Sequence, residues 1–89
     1  MMYYRRKILL ALLEVFDGSL KRTDCEKLLF NFCQMTGKNH YDFFPYQYGP
    51  FSFLSYYDKR RLAEINLLKD TDDFELKTTH SYLKEIEII

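Results

Sequence analysis

The stretch YDFFPYQYGPFSF, residues 41 to 53, gathers seven of the sixteen aromatic side chains and both prolines of an 89-residue chain that has no tryptophan. It interrupts what would otherwise read as a string of helices. Residues 41–48 are rich in tyrosine and phenylalanine and poor in helix formers. Pro45 cannot donate a ladder bond, which confines the segment to an edge strand or an extended loop. Gly49-Pro50 then turns a corner, with the proline suited to the first turn of a following helix.

Upstream, Leu9, Leu12, Leu13 and Phe16 recur at i, i+3, i+4 and i+7, and Ile8 and Leu10 widen the apolar stripe, so the spacing predicts a central helix over 3–16. Gly18 suits the left-handed residue that closes it. The charges on this helix run against its dipole: Arg5, Arg6 and Lys7 crowd the positive end, while Glu14 and Asp17 sit at the negative end. Packing must therefore hold it. Thr23 followed three residues later by Glu26 reads as a capping box opening a second helix, with Cys25, Leu28, Leu29, Phe32 and Cys33 as its buried face and Gly37 as its stop.

Downstream, a third helix is predicted over 51–65, with Leu54, Tyr57, Leu62 and Ile65 inward and Asp58, Lys59, Arg60 and Glu64 outward. Leu67-Leu68 and Phe74 to Leu76 flank a polar turn at 69–73, the pattern of a short hairpin, and a last amphipathic piece covers 81–88. The fold class is thus α+β, a single domain over 1–89: three main helices, an aromatic edge strand, a hairpin and a short C-terminal helix. At this length the chain hides only about 60 to 70% of the surface its unfolded form exposes.

Composition narrows the function. Lysine plus arginine and aspartate plus glutamate number 13 each, so no overall field recommends nucleic acid or an anionic membrane. The longest apolar run near the start, residues 8–13, is far short of the roughly 20 residues of a membrane span, and the chain reads as cytoplasmic. Cys25 and Cys33, eight residues apart on one helix, lie about 12 Å apart along its axis, whereas bridged Cα atoms lie within about 7 Å; both are expected as free, buried thiols. Without a CxxC pair or a histidine near the cysteines in sequence, no metal or other cofactor is expected. His40 and His80 fall in loops with no nucleophile arranged beside them, so no enzyme activity and no small-molecule substrate are expected. The acids at 70, 72, 73 and 75 lack the glycine and distal glutamate of a calcium loop.

The segment "RRLAEINLL", a turn, then "FELKTTHSYL" resembles the third helix and wing of winged-helix domains, with Asn66 where glycine is usual, a substitution tolerable because asparagine also visits positive φ. "EKLLFNF" with "YDFFPYQYGPFSF" resembles the bacterial Panacea antitoxin-like domains and related N-terminal segments, through Lys27-Leu28-Leu29-Phe30 and Tyr48-Gly49-Pro50. That resemblance implies protein binding, antitoxin-like or adaptor-like, rather than chemistry. Members are usually longer, so the apolar ending Ile86-Glu87-Ile88-Ile89 is expected to need a pairing element from the rest of a longer architecture or from a neighbour.

Two functions compete. In the first, the aromatic edge, protected by the single charge of Asp42, binds a protein partner or a second copy, with Tyr46, Tyr48, Tyr56, Arg60 and Arg61 as anchors. In the second, Arg5, Arg6, Lys7, Lys59, Arg60 and Arg61 grip duplex DNA as a winged-helix regulator would. The acidic wing from Asp70 to Glu75 opposes phosphates, and the gap between the second and third helices is too long for a compact helix-turn-helix, so nucleic acid binding is expected to be weak.

Overall fold

The computed structural model describes residues 2–77 and 80–86. Helix α1 is Tyr4–Val15, strand β1 Ser19–Leu20, helix α2 Arg22–Thr36, strands β2 and β3 Phe44–Tyr46 and Gly49–Phe51, helix α3 Phe53–Glu64, and strand β4 Phe74–Glu75; a 3-10 turn, Leu83–Glu85, follows. The α+β class and the three main helices are as the sequence predicts.

Each helix ends for a local reason. After α1 the chain passes through Asp17 at φ 61° and Gly18 at φ 88°, and the Gly18 amide reaches back to the Leu13 carbonyl at 2.7 Å. Helix α2 stops at Gly37, φ 67°. Asn66, φ 65°, closes α3 by the positive-φ route expected of it, and the Leu67 amide then bonds the Leu62 carbonyl at 2.9 Å.

The core is Ile8, Leu9, Leu10, Ala11 and Leu13 of α1 packed on Cys25 and Leu29 of α2, Leu62 of α3, and Tyr41, Leu68, Phe74 and Tyr82. Both cysteines are free and buried, and burial pushes the Cys25 thiol far above its ordinary range, where it is inert. The hairpin at 67–76 is present as a bridge between Leu68 and Leu76, but β4 pairs antiparallel with β1, a strand the sequence reading left out. Two residues carry no periodicity. The expected closing helix is one 3-10 turn, and residues 87–89 of the apolar ending lie outside the described residues.

Three local expectations are corrected. Pro50 is in β3 rather than in a helix, because a two-residue loop at Gln47-Tyr48 folds the chain back into a hairpin and α3 begins only after Ser52, whose hydroxyl accepts the Ser55 amide at 3.1 Å. Helix α2 starts at Arg22 with Lys21 as its N-cap, and no Thr23–Glu26 box forms, because Glu26 turns inward. On α3 the inner face is Ser55, Asp58, Lys59 and Leu62, while Tyr57 and Ile65 are exposed. Asp58 and Lys59 are buried because distant partners satisfy them.

Candidate interaction surface

Those partners define how the helices are tied. Asp58, fully buried, accepts from Arg5 Nε at 2.7 Å and Nη2 at 3.0 Å, and from Arg6 Nε at 2.8 Å. The Tyr41 hydroxyl lies 2.9 Å from the same carboxylate and 3.0 Å from the Arg5 carbonyl. Burial and the neighbouring Asp58 hold this phenol well above its ordinary pKa, so it stays a donor. Asp58 thus compensates two of the three cations that sit wrongly on the dipole of α1. Lys7 pairs with Glu85 at 3.2 Å, and Arg61 with Glu64 at 2.6 Å. The Lys59 ammonium donates to the Thr71 carbonyl and lies 5.8 and 5.9 Å from the Tyr56 and Phe74 rings.

A second buried carboxylate anchors the hairpin. Glu26 Oε2 accepts the Ser52 amide at 2.9 Å, and Oε1 meets the Ser55 hydroxyl, which also lies 2.9 Å from the Ser52 carbonyl. One hydroxyl proton cannot serve both acceptors. A protonated Glu26 donating to Ser55 Oγ, with Ser55 donating to the carbonyl, satisfies every group. Burial accordingly holds the Glu26 carboxyl above the usual range, against the opposing pull of Ser55, Ser52 and Arg22. The folded state therefore binds this proton more tightly than the unfolded chain, so this group's contribution to stability is fully present below its unfolded value and is lost as pH rises through its folded value. Glu26→Gln mimics the protonated acid. In urea titrations between about pH 4 and pH 8, the advantage of the Gln variant over the parent should grow with pH; an advantage that is flat or shrinks would show that Glu26 is ionised in the fold. The comparison is by difference because His40, held low by burial and Lys38, contributes with the opposite sign.

The hairpin itself decides which surface is offered. Its register pairs Phe44 with Phe51, Pro45 with Pro50 and Tyr46 with Gly49. Proline has no N–H, so the facing prolines form the non-hydrogen-bonded pair and both would-be outward donors at that level are missing. The outer edge of β3 lies against α2, where Glu26 takes the next outward amide, that of Ser52. The aromatic edge is therefore better protected than its lack of charge suggests, and it is the face that stands open.

Side chains at 44, 46 and 51 leave the hairpin on one side. Phe44 is 52% exposed, Tyr46 64% and Phe53 64%. Their rings run together: Phe44–Phe53 at 6.0 Å, Phe53–Phe51 at 4.9 Å and Phe51–Tyr46 at 5.4 Å between centroids. Phe43 points the other way, half-buried and edge-on to Phe30 at 5.4 Å. A groove of about 310 Å³ beside the rings is lined by Arg22, Tyr46, Tyr48, Pro50, Phe51 and Phe53, among others.

The expected anchors are thus divided. Tyr46 and the loop-tip Tyr48 belong to this groove; Arg61, with Tyr57, lines a separate groove at the start of α1; Tyr56 and Arg60 are exposed elsewhere on α3. Phe44 and Phe53, the largest additions to the surface, are not among the anchors the sequence suggests; the i, i+2 spacing of Phe44 and Tyr46 is the signal that points to the first of them, and the start of α3 brings Phe53 beside it. Of the six residues in the DNA reading, Arg5, Arg6, Lys7 and Arg61 are in ion pairs and Lys59 is buried. Among the described residues no cluster of three or more His, Cys, Asp or Glu is placed to hold a metal, and no helix is long and apolar enough to cross a membrane. Comparison with protein-family models, with curated proteins and with solved structures returns no match.

Proposed function

We propose that the chain is a non-catalytic protein-interaction module, antitoxin-like or adaptor-like, that holds a protein partner on the aromatic face of the β2–β3 hairpin. The observation that carries this is the continuous run of rings in which exposed Phe44, Phe53 and Tyr46 meet around half-buried Phe51, since large rings clustered on a surface are where interface energy concentrates. Recognition is by side chains rather than by an added strand, because Pro45 and Pro50 remove the donors an added strand would need. With the β2–β3 hairpin taken as an insertion between α2 and α3, the order α1, β1, α2, α3, then the Leu68–Leu76 bridge and β4 paired with β1, supports a winged-helix-like reading of the scaffold. Duplex DNA is the weaker alternative, since Lys59 is buried, Lys7 is paired with Glu85, Arg60 stands apart on α3, and the acids from Asp70 to Glu75 oppose a phosphate backbone.

The test is a photo-crosslinking residue at position 48 in a tagged protein expressed in cells. A discrete crosslinked protein should be recovered and identified, and Tyr46→Ser with Phe53→Ser should lower affinity for it by at least about 30-fold, the loss typical of a hot spot. The thermal midpoint should barely move, since both side chains are mostly exposed. Crosslinks that persist in the double variant, or a midpoint that collapses, would remove the proposal.

A further inference from the structure

The charges at the start of α1 have a use beyond closing the fold. Arg5, Arg6 and Arg61 line one open groove of about 630 Å³ together with Tyr3 and Tyr57. Asp58 lies behind it, wholly buried, and fixes two of the three guanidiniums. It takes Nε and one terminal nitrogen of Arg5 but only Nε of Arg6, so the planar fork of Arg6 is oriented from behind with its terminal nitrogens unused by that carboxylate. The Tyr3 ring lies 4.7 and 4.9 Å from the two guanidinium carbons, and the Tyr57 ring 6.0 Å from that of Arg6. Tyr3 and Tyr57 are themselves more than half exposed and give the groove flat apolar walls.

Charge does not balance here. Asp58 and Glu64 supply two negative charges against the three guanidiniums, and Glu64 meets Arg61 on the exposed side of α3. A net positive charge therefore faces a recess walled by rings, on cations already held in place. Fixed arginine forks match a phosphate oxygen pair, and pre-organisation lowers what binding must spend on ordering long side chains.

We propose that this groove binds a phosphate monoester of a sugar that carries a flat base, the chemistry of a nucleotide, with Arg5, Arg6 and Arg61 on the phosphate and Tyr3 or Tyr57 against the base. The same group occurs on a free mononucleotide and at the 5′ end of a nucleic acid strand. The site is independent of the hairpin face: Tyr46→Ser with Phe53→Ser should leave it intact.

Titration calorimetry with the whole chain tests it, using AMP, adenosine, inorganic phosphate, and a short oligonucleotide with and without a 5′-phosphate. AMP should saturate with Kd below about 1 mM, phosphate should bind more weakly, and adenosine should give no saturable heat. Arg61→Gln, an exposed change that should leave folding alone, and Arg6→Gln should each weaken AMP by roughly tenfold or more, as expected for a lost charge-assisted hydrogen bond. A 5′-phosphorylated strand that binds tighter than AMP, with the same arginine dependence, identifies the strand end as the source; AMP as good or better identifies the free nucleotide. Adenosine binding as well as AMP, no saturation by either phosphate ester, or a folded Arg61→Gln protein that binds AMP like the parent would each overturn the site and leave Arg5, Arg6 and Asp58 with a purely structural role.

Discussion

Asp58→Ala should be the most damaging single change in the molecule. It removes the one carboxylate that compensates Arg5 and Arg6, leaving two part-buried guanidiniums beside the groove they line, and it takes from the buried Tyr41 hydroxyl one of its two acceptors, the other being the Arg5 carbonyl. Breaking a buried pair by deleting one partner costs about 3–5 kcal/mol, because the remaining charge stays desolvated. Set against the roughly 5–15 kcal/mol total stability of a small domain, that is a large share of the whole. The thermal midpoint should fall by well over about 10 °C, since each kcal/mol moves a domain of this size by several degrees. Asp58→Asn keeps shape and some hydrogen bonds but not charge, and should fall between. A midpoint for Asp58→Ala within a few degrees of the parent would mean that hydration from the groove replaces the carboxylate and that Asp58 does not hold the helices together.

The second large effect is expected at Phe74. This ring is fully buried and anchors β4 against β1. It also lies 5.9 Å from the Lys59 ammonium, which is held by the Thr71 carbonyl of the turn that precedes β4. Phe74→Ala should cost about 3–5 kcal/mol by urea denaturation, the range for an aromatic truncated in a close-packed core. Phe74→Leu should cost less than half of that. If alanine and leucine prove equally mild, β4 and the turn before it pack on α3 too loosely for Phe74 to be their anchor.

Much of the helical frame could be read from the chain because helix signals are local. The α1 stripe, Gly18, Gly37 and Asn66 each act within a turn of where they stand. What could not be read depends on partners far away. Arg5 and Asp58 are 53 positions apart, and Glu26 and Ser52 are 26 apart. Periodicity assigns a charged residue to the wet side of a helix unless its counterion is known, which is how Asp58 and Lys59 were placed outward and Glu26 was read as a cap. One hint was present: three cations at the positive end of α1, with no acid in its first turn, required an acid from elsewhere. Strand β1 was invisible for a different reason, being two residues defined wholly by β4.

The facing prolines bear on how this protein behaves when crowded. A chain nearly half apolar, with clustered rings on its surface, has the makings of a fibre former. Fibres grow because each added strand presents the next with an unbroken row of donors and acceptors, and Pro45 and Pro50 break that row on both sides of the hairpin at the same level. Any self-association through the rings is therefore of a kind that saturates: two faces cover each other and nothing is left over to recruit a third.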